Sequence, residues 1–197
     1  HPVVHLHGVV ATGWLLLLAA QVSLVHRRKV ALHRRLGVVG AGYGAILLLT
    51  ALAVTVVAPT QAVLSGRDTL DQAAAFLLLP LGDMLLFAGF FGAALLHRRR
   101  SDLHRPLMIL AAVALIFPGA ARFAGDRGVL AVLLVWLLPL ALAVAGEWWR
   151  HGRVPRVLAW GTALLLLVFA RVLVMDSEAW LQVGRPLLRL FLPEGAG

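Results

Sequence analysis

The stretch His26 to Gly37, HRRKVALHRRLG, recurs along the chain at a constant offset. His26, Arg27 and Arg28 reappear as His97, Arg98 and Arg99, and Leu32, His33, Arg34 and Leu36 reappear as Leu103, His104, Arg105 and Leu107. Lys29 is answered by Arg100. Each copy lies between two long apolar runs. A chain built this way is confined to hydrophobic hairpins joined by basic, histidine-bearing turns.

The apolar runs leave no room for a soluble core. Of 197 residues, 61% are hydrophobic and 14% charged, and the mean hydropathy is +0.90, which places the chain in a membrane. In a soluble protein a net charge of +9 would suggest nucleic acid. Here the basic residues fall in short turns, so the expected partners are anionic lipid headgroups and no nucleic acid. There is no cysteine. Disulfides, iron–sulfur ligation, thiolate nucleophiles and covalent haem attachment are thereby excluded. The chain opens with His1 and shows no cleavable signal pattern, so insertion is expected to rely on the first span.

A helix needs about 20 apolar residues to cross the hydrocarbon. Six segments qualify: residues 3 to 25, 37 to 58, 73 to 96, 106 to 122, 129 to 147 and 156 to 175. The reading is an all-α, single transmembrane domain of six helices, with hairpin repeats over 3–58 and 73–122 and a third hairpin over 129–175. The turns at 26–36, 97–105 and 148–156 contain five, four and three Lys or Arg, whereas the alternate loops at 59–72 and 123–128 contain only Arg67 and Arg127. By the positive-inside rule both termini face away from the cytoplasm. The tail from 176 to 197 mixes Trp180, Leu181, Leu187, Leu188, Leu190 and Phe191 with Arg185, Arg189 and Glu194, a pattern suited to an amphipathic segment on the outer surface.

Two constellations could carry chemistry. His33 and His104 begin equivalent helices of the two repeats. If those helices face each other, the imidazoles are placed as axial ligands for one b-type haem, or beside a quinone, near the cytoplasmic face. The alternative is an interfacial anchor, with leucine in the membrane and Arg27, Arg28, Arg34, Arg98, Arg99 and Arg105 among the phosphates. The second constellation is deeper. At 1.5 Å per residue, Asp83, Arg122 and Arg171 lie roughly 20, 24 and 22 Å from the basic ends of their spans. A carboxylate inside a span costs about 2.5–3.5 kcal/mol on insertion scales, so Asp83 should face the protein interior with a partner. Arg122, on the adjacent span, is the expected one. Arg171 is expected to snorkel outward or pair with Asp176. His5 and His7 could join Asp83 as a metal set if the backbone there is extended, since on a helix residues two apart point about 200° apart.

The stretches His5-Leu6-His7, Leu32 to Gly37, Pro80-Leu81-Gly82-Asp83 and His104-Arg105-Pro106-Leu107-Met108, with Arg122 closing the block, resemble a family of uncharacterised bacterial polytopic membrane proteins. The resemblance implies a bacterial cytoplasmic (inner) membrane and no particular activity; the last two spans add little to it. A weaker likeness is to multi-helix b-type cytochromes, which hold haem between histidines of neighbouring spans. This chain departs from them in having no histidine at middle depth, which leaves room for at most one haem.

No Ser-His-Asp, phosphate-loop or zinc-protease spacing is present, and no catalytic residue is assigned. Three functions therefore stand side by side: a redox-associated protein with His33 and His104 as ligands, a small proton-coupled permease using Asp83, Arg122 and His7, and a non-catalytic scaffold. A permease this short is expected to form a homo-oligomer to enclose a path.

Overall fold

In the computed structural model, which describes residues 1–193, the apolar runs are helices. Hydrocarbon offers the backbone no hydrogen bonds, and a helix satisfies its own. The helices are α1 (Pro2–His26), α2 (Val30–Leu64), α3 (Leu70–Leu96), α4 (Ser101–Ala124), α5 (Val129–His151), α6 (Arg156–Phe169) and α7 (Glu178–Arg189). Turns of 3-10 helix follow α4 at Gly125–Arg127 and α6 at Ala170–Leu173. With those two extensions, α1 to α6 are long and apolar enough to cross a membrane. Among the described residues there is no strand. The protein is an all-α, multi-pass membrane protein.

The basic turns are shorter than the sequence suggests. Lys29 and Arg100, equivalent in the two repeats, are the N-caps of α2 and α4, so both LHR motifs lie in the first helical turn. Leu, Ala and Arg are good helix formers, and nothing between Val30 and Gly37 breaks a helix. The first turn is closed by Lys29 N–H donating to the Leu24 carbonyl and Arg28 N–H to the Val25 carbonyl, with Arg28 at φ 58°. That is the Schellman arrangement, with arginine where glycine is usual.

α2 is 35 residues long, about 52 Å against roughly 30 Å of hydrocarbon. Its excess is LHRR at one end and a turn beyond Pro59 at the other. Pro59 does not end the helix, so Thr60 and Gln61, expected in a polar loop, are helical. Thr60 is buried and donates to the Val56 carbonyl at 2.8 Å.

The chain divides into two compact units, one of His1–Leu77 with the chain from Leu181 on, the other of Leu78–Trp180. In the first, α1 packs on α2. Polar groups join this pair at three levels. His7 Nδ1 lies 3.1 Å from Thr50 Oγ1, whose own proton goes to the Leu47 carbonyl. Tyr43 Oη donates to the Val10 carbonyl at 3.0 Å. Gln21, oriented to suit the fixed backbone groups, donates to His33 Nδ1 at 2.7 Å and accepts from Gly37 N–H at 2.9 Å. The Tyr43 bond crosses Gly13, where an added Cβ would lie 2.0 Å from the hydroxyl. Gly13→Ala is therefore expected to break that bond and destabilise the hairpin by about 1–3 kcal/mol, read by detergent-micelle unfolding. Tyr43→Phe in the Gly13→Ala background should recover part of the loss.

At the far end of this unit α7 is pinned by Arg185, whose Nε and Nη2 donate to the two Asp71 carboxylate oxygens at 2.6 and 3.0 Å. The tail is thus helical, with Leu181, Gly184 and Leu188 buried and Val183, Leu187, Leu190 and Phe191 exposed. Glu194 lies outside the described residues.

In the second unit α4 packs on both α5 and α6. Leu110, Val113 and Ala114 of α4 are fully buried, and Trp136 of α5 donates its indole N–H to the Val113 carbonyl at 2.9 Å. Phe117, Trp136 and Phe169 close on one another with ring centroids 4.9 to 5.4 Å apart. Gly161 lets α6 approach, because a Cβ there would lie 2.1 Å from Leu110 Cδ1.

Candidate functional site

Asp83, in the middle of α3, is buried and bonded to Arg171 in the 3-10 turn that ends α6. The stretch Leu79 to Asp83 builds the receiving surface. Pro80 removes a backbone donor from the helix. The Leu79 carbonyl accepts from Arg171 Nη2 at 2.7 Å. Gly82 permits the approach: a Cβ there would lie 2.6 Å from Arg171 Nε and 2.9 Å from its Cζ. Asp83 Oδ1 then meets the same Nη2. On the other side Nη1 donates to the Val168 carbonyl at 2.8 Å, so the guanidinium is held by two carbonyls as well as by the carboxylate.

The pair is incomplete. Both side chains are 9% exposed, and Asp83 Oδ2 and Arg171 Nε have no hydrogen-bond partner among the described residues. An arginine can offer a carboxylate two parallel bonds through Nε and Nη2, and here only one is made. An acceptor oxygen and a charged N–H are thus both buried and unsatisfied, a condition rare enough in native proteins to call for an explanation.

The partner of Asp83 is therefore Arg171 and not Arg122. Arg122 is exposed, because it lies two residues from both Ala120 and Ala124, which are buried, and so points about 200° away from the packed face of α4. Nor does Arg171 snorkel or pair with Asp176. The sequence placed all three residues at one depth; the overlooked signal was Gly82, a small residue directly beside an intramembrane aspartate.

The metal set of His5, His7 and Asp83 is not assembled. α1 is helical from Pro2, so His5 is exposed while His7 turns toward Thr50, and the Asp83 carboxylate is engaged by Arg171. Among the described residues no three His, Asp or Glu side chains are arranged to hold an ion.

The two repeat histidines use their ring nitrogens in opposite ways. His104 Nδ1 lies 2.8 Å from the Ala94 carbonyl, so this nitrogen carries a proton. His33 Nδ1 accepts from Gln21, so in the neutral ring the proton is on Nε2. An imidazole that donates through Nδ1 to a carbonyl is set up to coordinate through Nε2, and His33 is not. Arg27, Arg28, Arg34, Arg98 and Arg99 are exposed, as headgroup contacts require. Arg105 is exposed as well, and it also pairs with Glu147 of α5 at 2.5 Å. Glu147 is 8% exposed, with His151 Nε2 at 3.9 Å on its other oxygen. Glu147 ends the apolar run of residues 129–147, and its partner lies on another helix.

No family model, curated protein or solved structure matches this chain, and the site stands on its own geometry.

Proposed function

We propose that the chain is a small proton-coupled permease of a bacterial cytoplasmic membrane, with Asp83 as the proton-carrying group and Arg171 as its counter-ion. The observation that carries this reading is the half-made fork. A pair whose only task was to join α3 to α6 would be favoured with both bonds closed, since each buried unsatisfied polar atom costs about 1–3 kcal/mol. An open carboxylate oxygen is the place where a proton can arrive without first displacing a donor. Intramembrane ionisable residues in transporters commonly serve as such proton relays.

The basic turns face the cytoplasm and anionic headgroups in this reading, and both termini lie outside. The exposed apolar face of α7 then rests in the outer headgroup layer. A chain of this size encloses a path as a homo-oligomer. The haem or quinone reading has less support, because His33 would have to give up its Gln21 bond and change tautomer to match His104.

The test is pH-difference infrared spectroscopy of the protein in lipid. A protonated-carboxyl band that grows on acidification, disappears in Asp83→Asn and survives in Glu147→Gln is the expected result. A spectrum in which Asp83→Asn removes nothing would make the pair a static tie and sink the proton-carrier reading.

A further inference from the structure

The proton-carrier reading, on which this inference rests, leaves the cargo unnamed. We infer that the Asp83–Arg171 site takes a small monovalent carboxylate together with the proton, held by Arg171. The guanidinium is anchored by the Val168 and Leu79 carbonyls as well as by Asp83. When Asp83 becomes neutral, Arg171 therefore keeps both its place and its charge. Asp126 and Asp176, the carboxylates that follow α4 and α6, are exposed.

A buried cation without a partner is costly, so protonation of Asp83 creates a demand for one negative charge at Arg171. An entering carboxylate supplies it. The site passes from carboxylate and guanidinium to carboxylic acid, guanidinium and bound anion, and its net charge does not change. The hydrogen-bond inventory matches as well. Arg171 Nε–H lacks an acceptor among the described residues, and a protonated Asp83 Oδ2 becomes a second donor. A carboxylate brings two acceptor oxygens to two donors. A divalent anion would leave excess charge.

Formate is the probe. Neutral sodium formate is added to lightly buffered, detergent-solubilised full-length protein containing a pH indicator, with sodium sulfate at matched ionic strength as the control. Wild type is expected to take up close to one proton per chain on binding formate and to show no response to sulfate. Asp83→Asn mimics the protonated acid and leaves Arg171 without a counter-charge, so it should bind formate roughly tenfold more tightly or better, with no proton uptake, as read by the thermal-unfolding shift. Arg171→Lys keeps the charge but loses the fork, and should weaken formate binding while remaining folded. A folded Asp83→Asn variant that responds to formate no more than wild type overturns the inference. If the infrared band of Asp83 is present and the formate response is absent, the anion site falls and the proton carrier stands; if both are absent, both fall.

Discussion

Arg171→Ala is expected to destabilise the protein by about 3–5 kcal/mol, the cost of leaving the Asp83 carboxylate buried without its cation. The same change removes the donors to the Leu79 and Val168 carbonyls, which tie the 3-10 end of α6 to α3. Asp83→Asn should cost less, because the amide keeps its shape and an acceptor oxygen for Nη2. Unfolding in mixed micelles, followed by helicity, measures both. The informative comparison is the double variant Asp83→Leu with Arg171→Met. Replacing a whole buried pair by apolar side chains of similar volume is often neutral or better, so the double variant should recover most of the stability lost in Arg171→Ala. A pair kept for stability alone would make that variant an adequate protein. In the reading proposed above it is folded and inert. A double variant as unstable as Arg171→Ala would show that the loss comes from the backbone carbonyls rather than from the unpaired charge.

Trp136→Ala should be about as severe, roughly 3–5 kcal/mol, for a different reason. Trp136 is 2% exposed, and its ring fills the space between α4 and α5 against Phe117 and Phe169. Alanine would leave a cavity of nearly the full ring, and the Val113 carbonyl would lose its indole donor. Trp136→Phe separates the two losses: most of the ring remains, the donor does not, and the expected cost falls to about 1 kcal/mol. If Trp136→Phe proved as damaging as Trp136→Ala, the hydrogen bond rather than the packing would be the principal contact. The aromatic cluster adjoins the turn that holds Arg171, since Phe169 precedes it by two residues. Trp136→Ala should therefore also blunt the formate response of the Asp83 site, whereas Gly13→Ala, in the other unit, should leave it intact.

The helices of this protein were legible because a membrane permits little else: six long apolar runs, punctuated by arginine, become helices whatever their neighbours do. The histidine-bearing repeat likewise marked the starts of α2 and α4, although helix propensity carried both helices back over residues expected in the turns. An intramembrane carboxylate had to be buried and paired, and Asp83 is both. Which arginine pairs with it was a different kind of question. Arg122 and Arg171 stand at the same depth on sequence counting, and depth is a property of one helix. The choice depended on which face of α4 was taken by α5 and α6, which turned Arg122 outward, and on the tightening of α6 into a 3-10 turn, which brought Arg171 against Gly82. Glu147 and Arg105 likewise met only through the packing of α5 on α4. The sequence by itself determined the elements and the need for a counter-ion, because burial in hydrocarbon penalises each helix and each charge separately. Only the tertiary structure decided the partners, because a partner is a relation between faces, and rotation of a helix about its axis leaves no trace in its mean hydropathy.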